Sequence, residues 1–176
     1  MKQKYHFLTF FLPKTISLIT SQELEDLYPD KTPKEREQLI TKDKKAVFII
    51  GIGDKLKSGI SHDLRSPDYD DWSMDGDLMI WDKFLDKAVE LSSMGIRVDE
   101  KSLLSQLEKS DTMDRLCLPY HQKIVKKEIP YTIGGGIGQS RICMYYLRKA
   151  HIGEVQSSLW PKETHEIAEK HNIPLL

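Results

Sequence analysis

Tyr131-Thr-Ile-Gly-Gly-Gly-Ile-Gly-Gln-Ser-Arg141 is the stretch on which the reading of this chain turns. A β-branched run enters glycines at 134, 135, 136 and 138, and an apolar pattern at helical spacing follows (Ile142, Met144, Tyr145, Leu147). Glycines this dense weaken a strand, through backbone entropy and missing side-chain contacts. They make sense where another backbone, or a flat ligand, lies directly on the sheet. The expectation is a strand Tyr131–Ile137 leading into a helix from Gln139 to about Lys149. Arg141 adds a permanent planar cation suited to phosphate or to stacking on an aromatic ring. The alternative is a kinked or bulged strand packed closely on its neighbour.

Neither common glycine-loop motif fits. The phosphate loop needs lysine after its last glycine, and Gly138 is followed by Gln139. The dinucleotide fingerprint fails because Gly134 and Gly136 lead to Gln139 in the third place; Gly51 and Gly53 lead to Leu56 and fail likewise.

Upstream, Ile16–Ile19 reads as a buried strand, and Thr20 with Glu23 as a capping box for a helix through Leu27. Thr32-Pro33-Lys34-Glu35 is a stronger helix start, running to about Lys44 with its charges mostly solvated. Ala46–Gly51 is a continuous apolar run, the pattern of a strand buried on both faces. Residues 54–76 read as a long functional loop. Asp77–Trp81 and Ala88–Val98 read as strands, and Asp99 and Asp111 as helix caps. Pro119 can restart a helix to about Lys127, Val155–Leu159 suggests a last strand, and Pro161 opens a polar terminal helix. The sum is an α+β fold, a mainly antiparallel sheet flanked by helices, in a single domain over 1–176.

Composition suits an ordinary globular protein: 176 residues, 39% hydrophobic, 30% charged, net charge −1. Nucleic acid gains no electrostatic support. Cys117 and Cys143 have no partners at metal-ligand spacing and read as reduced, partly buried thiols of a cytoplasmic protein. The start, MKQKYHFLTFFLP, lacks a cleavage site and is too short to span a membrane; it is expected to pack on the core.

Three groups of side chains stand out. Arg65-Ser-Pro-Asp-Tyr-Asp-Asp-Trp72 is a charged loop that Pro67 stiffens and its aromatics anchor; bare composition makes it a solvated run. Asp77 and Glu90 lie on neighbouring strands, where paired carboxylates repel unless a cation sits between them. Mg²⁺, which takes one or two carboxylates plus substrate phosphates, is one candidate, and structural ion pairs with Arg65, Arg97 or Arg141 are another. Ser93, Gly95 and Arg97 share a strand face, with Glu90 on the other unless a bulge intervenes. His62, His121 and His151 carry little functional weight, and Trp72, Trp81 and Trp160 read as core. A glycine platform, permanent cations and paired acids together suit Mg·ATP and activation of a carboxylate by adenylation.

TIGGGIGQSR resembles the third signature motif of class II aminoacyl-tRNA synthetase-like catalytic domains, in the form carried by ammonia-dependent asparagine synthetases (aspartate–ammonia ligases). His62-Asp-Leu-Arg-Ser-Pro-Asp-Tyr-Asp-Asp-Trp72 and Glu90-Leu-Ser-Ser-Met-Gly-Ile-Arg-Val-Asp99 resemble the same family, in the same order. The resemblance implies catalytic roles for Arg65, Asp70 and Arg141: Arg65 near phosphate, Asp70 near the substrate amino group or nucleotide, Arg141 stacked on adenine. It implies nucleotide or substrate contacts from Ser93, Arg97, Gly134, Gly135, Gly136, Gly138 and Gln139, and metal ligation by Asp77 and Glu90. Since it places Glu90, Ser93 and Arg97 in one site, it also requires a bulge or twist near Ser92.

The implied reaction joins ammonia to L-aspartate at the expense of ATP, through a β-aspartyl adenylate, in a cytoplasmic homodimer without nucleic-acid or membrane partners. The resemblance covers only the family's C-terminal half. The chain is therefore expected to lack the first two motifs, to be inactive alone, and to expose a sheet edge and an apolar face. Asp54 stands where glycine is expected, adding charge beside the site. Two other readings are a non-catalytic nucleotide-binding or dimerisation module of the same fold, and a tRNA synthetase relative. Neutral charge and the lack of an anticodon-binding appendage argue against the latter.

Overall fold

Both threonine caps form as their spacing predicts, and they set the first half of the fold. The structure, a computed structural model, describes residues 12–176. The expected packing of the first residues therefore lies, but for Leu12 and Pro13, outside the described residues. After strand β1 (Ser17–Thr20), the Thr20–Glu23 box starts helix α1 (Ser21–Leu27) and the Thr32–Glu35 box starts α2 (Pro33–Lys44). Each box satisfies two amides that the helix would otherwise leave unpaired. Then follow β2 (Ala46–Ile50), the long hairpin β3 (Asp70–Asp82) and β4 (Lys87–Arg97), and helices α3 (Glu100–Lys109) and α4 (Pro119–Val125). Strand β5 (Ile133–Ile137) runs through Gly138 into α5 (Gln139–Leu147), and α6 (Lys162–Lys170) follows Pro161.

The five strands form one mixed sheet in chain order, β1 parallel to β2 and every other pair antiparallel, an α+β architecture. Helices α1 and α2 cover one face over β2 and the neighbouring part of β3, where Leu24 and Ile40 meet Val47, Ile49 and Met79. Helix α5 covers part of the opposite face, packing Tyr145 and Ile142 against Ala46, Ile80, Val89 and Leu91. A third cluster (Val98, Leu103, Leu107, Ile124) sits at the far end of β4 and holds α3 and α4.

Several expectations need correction. Ile16–Ile19 is not buried: β1 is an edge strand with alternating burial, and Leu18 is 70% exposed. Charges on α2 are mostly solvated as expected, the exceptions being Arg36, buried against Glu25, and Glu37, buried against His62. The loop after β2 ends at Tyr69, since Asp70 already pairs in β3. Asp111 takes a left-handed backbone and caps nothing; a short 3₁₀ turn begins at Met113. Val155–Leu159 is no strand: it follows the 3₁₀ turn Ile152–Glu154 without pairing in the sheet, and Leu159 is almost wholly exposed. Both cysteines are exposed rather than partly buried. Trp72 and Trp81 are core residues.

Candidate active site

Two irregularities of the β3–β4 ladder assemble the candidate site. Leu78 pairs with Ser92, but Met79 pairs with Glu90, so Leu91 is an extra residue. This is the bulge required near Ser92. In a regular ladder Glu90 would point away from Ser93; the bulge turns it to the same face. Asp77 opposes Ser93 and Asp75 opposes Gly95 on that face, and after a second register shift Asp70 opposes Arg97. Strand β5 extends the floor, Gly136 beside Ser93 and Gly134 beside Gly95.

The glycines differ in what lies over them. A side chain at Gly134 would collide with the Arg97 guanidinium, whereas above Gly136 nothing among the described residues lies within 4 Å. Gly134 thus lets an arginine lie on the sheet, and Gly136 leaves open floor. Gly135 faces the opposite side, where an added Cβ would strike Met94 at 2.8 Å. Its contact is with the sheet's back rather than the site, unlike the role its motif suggested. Gly138 donates to the Leu91 carbonyl at 2.8 Å, fastening the start of α5 to the bulge. Gln139, exposed in the first turn of α5, is not drawn into the constellation.

At one end of the floor stand two arginines among acids. Arg97 pairs with buried Asp70, donates to Tyr69 Oη at 2.8 Å and stacks 3.8 Å from that ring's centre. Arg65 pairs with Asp77, and its Nε lies 3.8 Å from Asp75 Oδ2. Burial works against the Arg65 charge, but Asp77, Asp63 and Asp75 together raise its pKa. Asp75 and Asp77 each keep one buried oxygen without a hydrogen bond. Burial pushes the Asp75 carboxyl up to about 7; Asp77 and Asp70 add to this, and the Ile52 amide, donating at 2.7 Å, and Arg65 offset only part. Sequence reasoning missed Asp75. Its signal was present, because carboxylates two apart in a strand share a face.

Helix α3 holds the loop before β3 in place. The Gln106 amide donates to the Pro67 and Asp70 carbonyls at 2.9 and 3.0 Å and accepts from the Trp72 amide at 2.9 Å. Asp68 is held by Arg115 and His121 at 3.1 and 3.0 Å. Arg65 and Asp70 are thus set by a braced segment and not by a solvated charged run. Asp54 pairs with Lys109 of α3.

At the other end, Arg141 in the first turn of α5 meets Glu90, with Nη1 3.1 Å from the carboxylate and 3.2 Å from the backbone carbonyl. A cation there opposes the helix dipole, and Glu90 is the anion that offsets it. Both expected metal carboxylates are therefore ion-paired, Asp77 with Arg65 and Glu90 with Arg141. Among the described residues no group of three or more His, Cys, Asp or Glu side chains could hold a metal ion. The set still fits Mg²⁺ of the kind that takes one or two carboxylates and completes its shell with phosphate oxygens and water.

An antiparallel floor carrying charged clusters at both ends, entered by a glycine strand that turns into a helix, defines a class II aminoacyl-tRNA synthetase-like catalytic fold. Asparaginyl-tRNA synthetase from Pyrococcus horikoshii superposes with a TM-score of 0.60 at 15% identity, covering 91% of this chain and 42% of that one. Aspartyl tRNA synthetase from Entamoeba histolytica gives 0.56 at 17% identity, covering 88% and 33%. At such identities the likeness is one of fold.

Within that class the sequence places the chain more closely. A family model described as aspartate-ammonia ligase matches residues 1–172, and the chain belongs to that family. It is 58% identical over 177 residues to the aspartate–ammonia ligase of Malacoplasma penetrans, covering 100% of this chain and 54% of that protein. The Clostridium perfringens (strain 13 / Type A) relative is 60% identical over 173 residues, with coverage of 98% and 52%. The chain spans about half the length of the curated relatives it matches.

Proposed function

We propose that this chain carries the nucleotide-binding floor of an ATP-dependent, AMP- and pyrophosphate-forming ligase that converts L-aspartate and ammonia to L-asparagine. The observation that carries the reading is the Leu91 bulge, which gathers Glu90, Ser93, Gly95 and Arg97 onto the face bearing Asp75, Asp77 and the open floor at Gly136. Adenine would lie on Gly136 under Arg141. Aspartate would bind at the opposite end, its carboxylates facing Arg65 and Arg97 and its ammonium facing the oxygens of Asp75 and Asp77 that accept no hydrogen bond.

Its β-carboxylate would attack the α-phosphorus of ATP, forming the acyl–phosphate bond as pyrophosphate leaves. Ammonia would then attack the carbonyl carbon of the β-carboxyl group, AMP would leave, and one proton would be released. The arginines would offset charge that grows on the transferring groups, and no side-chain nucleophile is needed. Glu90 at the Arg141 end, or Asp77 at the Arg65 end, would hold Mg²⁺ together with phosphate oxygens and water, and the ion when bound neutralises polyphosphate charge.

The P. horikoshii synthetase has also been solved with asparaginyl-adenylate, which supports an acyl-adenylate on this fold. Net charge −1 supports a ligase with no nucleic-acid partner. Among the described residues no helix is long and apolar enough to cross a membrane. We place the longer ligase in the cytoplasm as a homodimer. A second reading, a non-catalytic nucleotide-binding or dimerisation module, is favoured by the apolar back of the sheet, where Ile133 is 80% and Ile137 66% exposed.

Titration with ATP, with and without Mg²⁺ and aspartate, tests the platform. Saturable Mg²⁺-dependent binding that Arg141→Ala abolishes is expected. Equal absence of binding before and after that substitution would remove the nucleotide reading. Asparagine formation in the same samples separates ligase from module.

A further inference from the structure

Beyond the glycine floor, at its Glu90 end, opens a cavity of about 300 Å³ lined by Lys34, Gln38, Lys87, Glu90, Arg141 and Met144, among others. It differs in character from the pockets on the sheet's back, which are lined mainly by isoleucine, leucine and methionine. Lys34, Lys87 and Arg141 bring three cations to its wall against the carboxylates of Glu37 and Glu90. Lys34 comes from α2, an element that neither the glycine motif nor the charged loop involves.

Lys34 is held, not merely nearby. The Thr32–Glu35 capping box and Pro33 fix the turn that carries it. Its Nζ donates to both Glu37 oxygens, at 3.0 and 3.1 Å. Glu37 is buried and cannot swing away, because buried His62 meets its Oε1 at 3.1 Å from beneath. The paired Glu90 and Arg141 line the same cavity as Lys34. A chain of His62, Glu37 and Lys34 thus presents a pre-positioned cation, at the N-terminal turn of a 12-residue helix whose dipole itself favours an anion. Pre-positioning removes much of the side-chain entropy that a surface lysine loses on binding.

We propose that Lys34, with Arg141 opposite and Lys87 at the rim, forms a subsite for the terminal phosphates of the nucleotide and for the pyrophosphate that leaves. The inference deepens the ligase reading and rests on it. It assigns binding of the polyphosphate end to α2, while the base and the α-phosphate belong to the floor.

The test uses the full chain and three probes in the presence of Mg²⁺: inorganic pyrophosphate, ATP and AMP, measured by calorimetry. The Lys34 side chain is 69% exposed, so Lys34→Ala should fold normally, which a melting curve checks. Loss of a charge-assisted contact should weaken pyrophosphate and ATP about ten-fold or more, leave AMP within about two-fold, and be largely repaired by Lys34→Arg. Unchanged pyrophosphate and ATP affinity in Lys34→Ala would overturn the subsite while the nucleotide floor stands. So would an equal loss for ATP and AMP, which would mean that Lys34 acts through the fold. Lys34-dependent pyrophosphate binding without any AMP or ATP binding would support the subsite and overturn the nucleotide reading. Binding of none of the three by the unaltered chain would overturn both.

Discussion

The two faces of the β3–β5 sheet are built from the same strands and could hardly differ more. One carries Asp75, Asp77, Ser93, Arg97 and open space at Gly136; the other carries Leu78, Met94, Ile96, Ile133 and Ile137. Simple alternation explains the apolar face and, on the polar one, Asp75, Asp77, Ser93 and Arg97, but Glu90 and Asp70 reach the polar face only through register shifts. The comparison teaches that the apolar face follows the regular period of the strands, whereas the charged face is completed by departures from it. Bulges are therefore where function enters this sheet.

The largest effect should come from the charged face. Arg65→Met leaves buried Asp77 without its cation and Asp75 without its neighbour. Removing one partner of a buried pair costs about 3–5 kcal/mol; with Arg65 partly open to solvent, about 3 kcal/mol is expected in urea denaturation. Adding Asp77→Asn should recover most of it. If Arg65→Met costs less than about 1 kcal/mol, the cluster is solvated and the contrast between faces is weaker than drawn.

Asp75 gives the next effect, and its sign is unusual for an aspartate. Its folded-state pKa is raised to about 7, above the unfolded value, so the folded chain binds more protons between about pH 4 and 7. Stability from this group is thus unaffected below about pH 4, falls as pH rises toward 7, and stays reduced above. Asp75→Asn keeps an acceptor for the Ile52 amide and removes the charge. It should raise stability by about 1–3 kcal/mol at pH 8 and by almost nothing at pH 4. A pH-independent difference between the two proteins would show that the carboxyl titrates normally.

Two adjacent glycines compare the faces most directly. Gly135→Ala drives a methyl into Met94 on the apolar side and should cost about 1–2 kcal/mol of stability by overpacking. Gly136→Ala meets nothing and should change stability by less than about 1 kcal/mol. For ATP the order reverses: Gly136→Ala should weaken binding about ten-fold and Gly135→Ala by less than three-fold, because only the former fills ligand space. The same order for stability and affinity would mean that Gly136 serves packing alone.

Local signals were readable in the sequence, and partners distant along it were not. Thr20, Thr32 and Asp99 each cap a helix because the motif lies within three residues. The bulge at Leu91 was inferable, since a site needing both Glu90 and Ser93 on one face contradicts the period of two. Burial of Arg36 and Glu37 was not, because Glu25 and His62, their hydrogen-bond partners, lie 11 and 25 positions away. Val155–Leu159 failed as a strand for a related reason: a run can have a strand's composition, but whether it pairs depends on a partner that its own residues do not name. Lys34 went unremarked as a site residue because helix periodicity alone does not reveal which solvated lysine has a buried brace.

The smallest stability effect belongs to the apolar face itself. Ile133 and Ile137 are exposed on β5, so replacing both with serine removes little buried area and should shift stability by less than about 1 kcal/mol. Self-association should respond instead, since an exposed apolar patch beside a strand edge that is unpaired among the described residues favours contact with another chain. Sedimentation of the unaltered chain should show concentration-dependent association that the double serine variant lacks, with ATP affinity within two-fold. ATP affinity lost together with association would mean that the back of the sheet supports the site from below and that the two faces are not independent. Association unchanged by the substitutions would place the contact elsewhere, and the period-two alternation of β4 and β5 would then carry no consequence outside the fold.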